Sequence, residues 1–158
     1  MRKIFTGLAT LFVLTVVTQF YLAASGAFNT APQDESFQTH RALGYGIVLF
    51  AILLTIIAAL ARLPGRLIGM TALIAGLGVV QAVIALLARA FDTGEISTTA
   101  GQLVFGLHAV NALIMLALAV SVVSRARALS RSAATGHPAR MGDAGVSGPA
   151  AGSAQRVS

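Results

Sequence analysis

Four times the chain runs for about twenty residues with almost no charge, and nothing else in its 158 residues limits the fold as strongly. The stretches are Ile4 to Ala24, Phe37 to Ala61, Leu67 to Ala88 and Gln102 to Val123. Each is close to the ~20 residues that cross ~30 Å of hydrocarbon at 1.5 Å per residue. Each is apolar on all sides, without the polar stripe of a soluble amphipathic helix. A helix is the open spanning form that satisfies every backbone group internally. The reading is an all-α membrane protein with four transmembrane helices. Composition agrees: only 10% of residues are charged, against about 25% in a soluble domain.

The first stretch has a rival reading. "MRK", an apolar run and "AASGA" resemble a secretory signal with a small-residue cleavage site. The run is longer than the ~7–15 apolar residues of such signals. It also carries Gln19. We therefore expect it to be retained as a helix.

Charge gives the orientation. Arg2 and Lys3 precede the first stretch, Arg62 and Arg66 flank the turn between the second and third, and Arg125, Arg127, Arg131, Arg140 and Arg156 follow the fourth. These are nine of the eleven basic residues; Arg41 and Arg89 lie on the other side. Asp34, Glu35, Asp92 and Glu95, four of the five acids, fall in the two remaining loops. The positive-inside rule predicts both termini in the cytoplasm, for a multi-pass protein of the inner (cytoplasmic) membrane. The net charge of +6 is then a topological signal and no argument for nucleic acid as a partner. The lipid bilayer is the partner it implies, and anionic lipid would hold the tail close.

The loops fit an up-down bundle. "LPGR" is a tight turn that makes the second and third helices antiparallel neighbours. Asp34 or Ser36 is placed to cap the second helix, and Ser97 to Thr99 the fourth. Small residues four apart, Ala42/Gly46, Ala72/Gly76 and Gly78/Ala82, predict close helix approach. Residues 1–128 form the transmembrane domain. Residues 129–158, rich in Ala, Gly, Ser and Arg with little to bury, read as a disordered cytoplasmic tail. His137 belongs to that tail and is assigned no role.

Polar residues inside the apolar stretches are layered. Measured from the outer helix ends at 1.5 Å per residue, Gln19 lies about 7 Å in, His40 about 5 Å, Gln81 about 10 Å and His108 about 9 Å, with Asn111 one turn deeper. The inner half offers only weaker groups such as Thr55, Thr71 and Ser121. Two helices run up and two run down, so the layering does not follow from one repeated offset. It predicts a polar layer or a cofactor pocket near the outer surface.

The chain has no cysteine, which excludes disulfides, thiolate metal sites, thiol catalysis and a covalently attached c-type haem. It shows no nucleophile–base pair, phosphate loop or carboxylate dyad, so autonomous enzyme activity is not expected. Two histidines at similar depth on the second and fourth helices, which can be diagonal partners, suit the two axial positions of one b-type haem iron. The candidate iron ligands are thus His40 and His108. Gly44 and Ala112, one turn below them, would let a flat macrocycle approach the backbone. Arg41, at the water boundary, could pair with a propionate. Gln19, Gln81 and Asn111 complete the candidate cofactor site. Two histidines without a carboxylate are too few for a closed zinc site. Two other readings stay open. In one, the layer only locks helices together in a structural or accessory protein, with Arg41 snorkelling. In the other, it binds a quinone or another small molecule.

Three segments carry a resemblance. "HRALGYGIVLF", "VVQAVIALLA" and "LHAVNALIM" resemble one half of haem A synthase. That family implies a four-helix bundle whose two histidines ligate haem, and the match places them at His40 and His108. The chain departs from the pattern. It has one bundle where the family has two, Gln38 and Thr39 where an acid precedes the His-Arg pair, and Ala85 where a glycine usually stands. Oxygen-dependent haem modification is therefore not implied. Residues 1–128, with "HRALGY" and "HAVNAL", more closely resemble a family of small four-helix bacterial membrane proteins that carries the fold and no activity.

Overall fold

The computed structural model describes residues 1–91 and 98–135. They form four long helices and one short one: α1 (Arg2–Ala27), α2 (Gln33–Ser36), α3 (Gln38–Leu60), α4 (Gly65–Ala90) and α5 (Thr99–Thr135). All four long helices are long and apolar enough to cross a membrane, as their sequences predict. Packing runs in a square, α1 on α3, α3 on α4, α4 on α5 and α5 back on α1. This puts α3 and α5 on a diagonal. Neighbours are antiparallel: Thr6 near the start of α1 meets Ser130 near the end of α5, and Gln19 late in α1 meets His40 early in α3.

Unlike that of a soluble protein, the outer surface of the bundle is as apolar as its interior. Leu14, Leu49, Leu86, Leu103 and Leu113 are more than half exposed, while Ala9, Ala51, Ala58 and Ala119 are buried. Lipid tails are as apolar as leucine, so large side chains gain nothing by turning inward, and small ones let the helices approach. Phe5 and Phe12 are the bulkiest buried groups, and Phe12 packs edge-on against Phe50 at a centroid separation of 5.4 Å. At the centre of the four helices the remaining void is about 10 Å³, room for about one water.

The turn between α3 and α4 closes by a Schellman motif. Leu63 N–H donates to Ala58 O and Arg62 N–H to Ala59 O, both at 3.0 Å. Arg62 adopts φ 49°, the left-handed conformation that this motif requires. Pro64 then starts α4, where its missing N–H is no loss.

Three expectations are corrected, and a fourth is met at Thr98. The helix expected to stop near Val123 continues as α5 to Thr135, so residues 129–135 are helical and not part of a disordered tail. Its sequence there is rich in Ala and Arg, both strong helix formers. Ala126 is buried, and the Ser130 hydroxyl meets Thr6 of α1 at 3.2 Å. The remainder of the expected tail, 136–158, lies outside the described residues. Second, of the small-residue pairs only Gly78 sits in an interface, where an added Cβ would lie 3.0 Å from Val48. Ala42, Gly46, Ala72, Gly76 and Ala82 are exposed. Spacing by four defines a stripe but not which way it faces. Third, neither Asp34 nor Ser36 caps α3. Asp34 is taken by Arg41, and Ser36 donates to Ala31 O at 2.8 Å. Fourth, only part of the cap expected for α5 is on view. Thr98 accepts the Gly101 N–H at 3.1 Å, while Ser97 lies outside the described residues.

Candidate functional site

Polar residues in an apolar helix must find partners on another helix or within their own turn. Those in the half of the bundle nearer the start of α1 choose their own turn. Thr55 donates to Ala51 O at 2.8 Å, Thr71 to Ile68 O at 2.9 Å and Ser121 to Ala117 O at 2.9 Å. Those at the opposite end reach across. Gln19 on α1 donates to the His40 carbonyl on α3 at 2.8 Å. Gln81 on α4 donates to the His108 carbonyl on α5, also at 2.8 Å. Asn111 returns from α5 to α4, donating to Leu77 O at 3.0 Å and to Gln81 Oε1.

The two helix pairs thus repeat one device. A glutamine late in the first helix binds the backbone carbonyl of a histidine early in the second. Each histidine follows a phenylalanine by three residues. Phe37 meets the His40 ring edge-on with centroids 6.0 Å apart, and Phe105 stacks on His108 at 5.2 Å. This Phe-x-x-His repeat, at 37–40 and 105–108, is legible in the sequence once sought, and it adds Phe37 and Phe105 to the site. Gly44 has a defined role as well. An added Cβ there would stand 3.1 Å from Gln19 Nε2, so glycine makes way for the amide.

The diagonal of the square brings the two histidines together. Their ring centroids are 6.3 Å apart and their planes 50° apart. His40 Nδ1 lies 3.2 Å from the Gln19 carbonyl oxygen. A carbonyl can only accept, so the proton is on Nδ1 and the lone pair is on Nε2. The Gln19 amide faces that lone pair at 3.3 Å. A backbone carbonyl fixing Nδ1–H is the usual support of a histidine that ligates through Nε2. His108 Nδ1 and Gln19 Oε1 are buried without a partner. Such orphaned groups each cost about 1–3 kcal/mol and call for an explanation.

Arg41 stands at the rim and is one-third exposed. It pairs with the Asp34 carboxylate at 3.4 Å and bonds the Asp34 carbonyl, tying α3 to the preceding loop. It does not join the histidine cluster. The other five sequence-expected residues, Gln19, His40, Gln81, His108 and Asn111, form one connected layer.

Could this layer hold a haem? Two imidazoles each ~2.0–2.1 Å from a shared iron have ring centroids roughly 6–6.5 Å apart, and the observed pair is 6.3 Å apart. No cluster of three or more His, Cys, Asp or Glu forms among the described residues, so a metal held by side chains alone finds no such set there. A porphyrin supplies four ligands itself and needs only two. No residue of 17–25, 38–46, 79–87 or 102–110 is fully buried. The donor set and the spacing fit the group; the Gln19 amide would have to release the His40 Nε2 lone pair, and His108 Nδ1 has no carbonyl to hold its proton.

Residues 19–89 match the model of a family of unknown function, DUF6220. The match takes in Gln19, His40, Arg41 and Gln81, and ends before His108 and Asn111. It covers less of the chain than the 1–128 expected. No curated protein and no solved structure matches the chain. The likeness to haem A synthase therefore rests on its three short segments, without support from these comparisons.

Proposed function

We propose that the bundle holds a single b-type haem between His40 and His108 and serves electron transfer at the inner membrane, with both termini cytoplasmic. The observation that carries this reading is the diagonal imidazole pair at a centroid distance of 6.3 Å, with the His40 proton fixed on Nδ1. The nine-to-two split of basic residues supports the orientation. When bound, the haem supplies a one-electron couple. The chain's own groups do the rest. Gln19 and Gln81 fix the backbone at the two histidines, Gly44 leaves room for the Gln19 amide, and Phe37 and Phe105 flank the rings. The four apolar helices keep water from the layer.

A second reading is favoured by the same glutamines. Their bonds to the two histidine carbonyls, with the Asn111 bond to Leu77 O, lock the outer ends of both helix pairs whether or not anything binds between them.

One experiment separates the two. Protein purified from cells with ample haem should show the sharp reduced bands of a six-coordinate, low-spin haem. His40→Ala and His108→Ala should each abolish or convert those bands, because one imidazole leaves a five-coordinate or unbound iron. Gln19→Leu should keep them. A folded, colourless protein overturns the haem reading and leaves the lock. The histidine variants would then cost only the ~0.6–1.7 kcal/mol of a membrane hydrogen bond.

A further inference from the structure

Each helix pair places a glutamine amide on a histidine, yet the two amides are held differently. Gln81 is pinned at both ends: its nitrogen donates to the His108 carbonyl at 2.8 Å, and its oxygen accepts from Asn111. Asn111 follows His108 by three residues on α5, one turn along the same face. The matching position on α3, three residues after His40, is Leu43, whose side chain has no donor to offer. The Gln19 amide is pinned at its nitrogen alone, and Gln19 Oε1 is buried without a partner.

The same amide also touches the ring. Gln19 Nε2 lies 2.8 Å from the His40 carbonyl oxygen and 3.3 Å from His40 Nε2. An amide nitrogen carries two protons, one for each of these acceptors. The Gln19 backbone carbonyl holds Nδ1–H at 3.2 Å, so one residue engages both ring nitrogens and the carbonyl of His40. The ring is kept in the tautomer that has its lone pair on Nε2, and the amide covers that lone pair.

A ligand to iron needs the lone pair uncovered. The amide is poised to leave it. Its oxygen bears the cost of an unmade bond where it lies, and a swing that brings Oε1 to a donor relieves that cost. The contact to Nε2 is the longer of its two bonds. The tautomer does not depend on it, because the backbone carbonyl stays at Nδ1. Release therefore uncovers the lone pair with no proton to move.

We infer that Gln19 is a positioning latch on His40: its amide covers Nε2 in the haem-free chain and yields it on uptake, while Gln81, pinned by Asn111, is a fixed brace. The inference rests on the haem reading above. Uptake is then slowed by the fraction of molecules in which the latch is shut.

The test follows haem uptake by the full chain, purified haem-free in detergent, from the growth of the Soret band. Gln19→Leu removes the latch and should speed uptake about three- to fifteenfold. Leu43→Asn offers Gln19 Oε1 the donor that Asn111 gives Gln81, and should slow uptake about threefold. Gln81→Leu breaks the equivalent bond in the other helix pair and measures the effect of loosening alone. Unchanged or slower uptake in Gln19→Leu, uptake no slower in Leu43→Asn, or equal acceleration in Gln81→Leu overturns the latch, provided circular dichroism shows unchanged helix content.

A second readout needs no haem. Nitrogen NMR of the haem-free chain, labelled at histidine, should show His40 Nε2 unprotonated and accepting a hydrogen bond. Gln19→Leu should move that resonance downfield with Nδ1 still protonated. An unmoved resonance overturns the latch even where haem is taken up. A moved resonance with no uptake in any variant overturns the haem reading, and the contact is then one more bond of the lock between α1 and α3.

Discussion

The inner two-thirds of the bundle and its histidine end solve the same problem in opposite ways. Inside, the helices touch through alanines, Gly78, two phenylalanines and aliphatics such as Ile47, Leu54 and Ile74, and the Thr55 and Thr71 hydroxyls are satisfied by their own backbone. At the histidine end no apolar residue between 38 and 46 is buried, and the contacts are amide-to-carbonyl bonds from one helix to the next. Dry packing gives a bundle its strength but leaves no chemistry. Hydrogen bonds between helices are weaker individually, yet they fix which residue faces which. The contrast separates the part of the molecule that holds it together from the part that is arranged for something else.

The largest effect should come from the dry part. Phe12→Ala removes a ring that is 2% exposed and opens a hole against Phe50, costing about 3 kcal/mol. Phe105→Ala removes the same ring from the histidine end, where it is 52% exposed and stacks on His108, and should cost about 1 kcal/mol. Denaturant titration of the detergent-solubilised protein, followed by helix content, measures both. Equal costs would mean that the two ends are packed alike, against the contrast drawn above.

Much of this was legible in the sequence, and the reasons are physical. Four apolar runs near the length of a membrane crossing leave little choice of fold. The layering of Gln19, His40, Gln81, His108 and Asn111 survived because depth along a straight helix depends only on the rise per residue. What failed depended on azimuth or on distant partners. Ala72 and Gly76 read as an interface but face outward. The anion beside Arg41 in the chain itself, Asp34, was not foreseen, because the fold of the preceding loop brings it there. The end of α5 read as unstructured because its composition has little to bury, and composition does not reveal that Thr6 lies opposite Ser130.

A middle-sized effect tests the bonds between helices. Gln81→Leu breaks the bond to the His108 carbonyl and takes one acceptor from Asn111, costing about 1–2 kcal/mol. Gly44→Ala should cost about 1 kcal/mol by pushing a methyl to within 3.1 Å of Gln19 Nε2. In a Gln19→Ala background that cost should largely vanish, since the atom in the way is gone. Strict additivity of the two changes would show that Gly44 serves something other than the amide.

The smallest effect is expected at Thr71, the most buried polar side chain of the dry region, 2% exposed. Elsewhere a buried hydroxyl is costly to delete, because its former partner is left wanting. Here the acceptors are the carbonyls of Leu67 and Ile68, one turn back in the same helix, and that ladder serves them already. Valine keeps the shape and the β-branching, so neither a cavity nor a change in rotamer freedom follows. Thr71→Val should therefore shift stability by no more than about 0.5 kcal/mol, in either direction. The matched change at the other end, Gln81→Leu, also trades a polar group for an apolar one of similar reach. If Thr71→Val costs as much as Gln81→Leu, its hydroxyl makes a bond across the bundle, and the inner core is not held by packing alone.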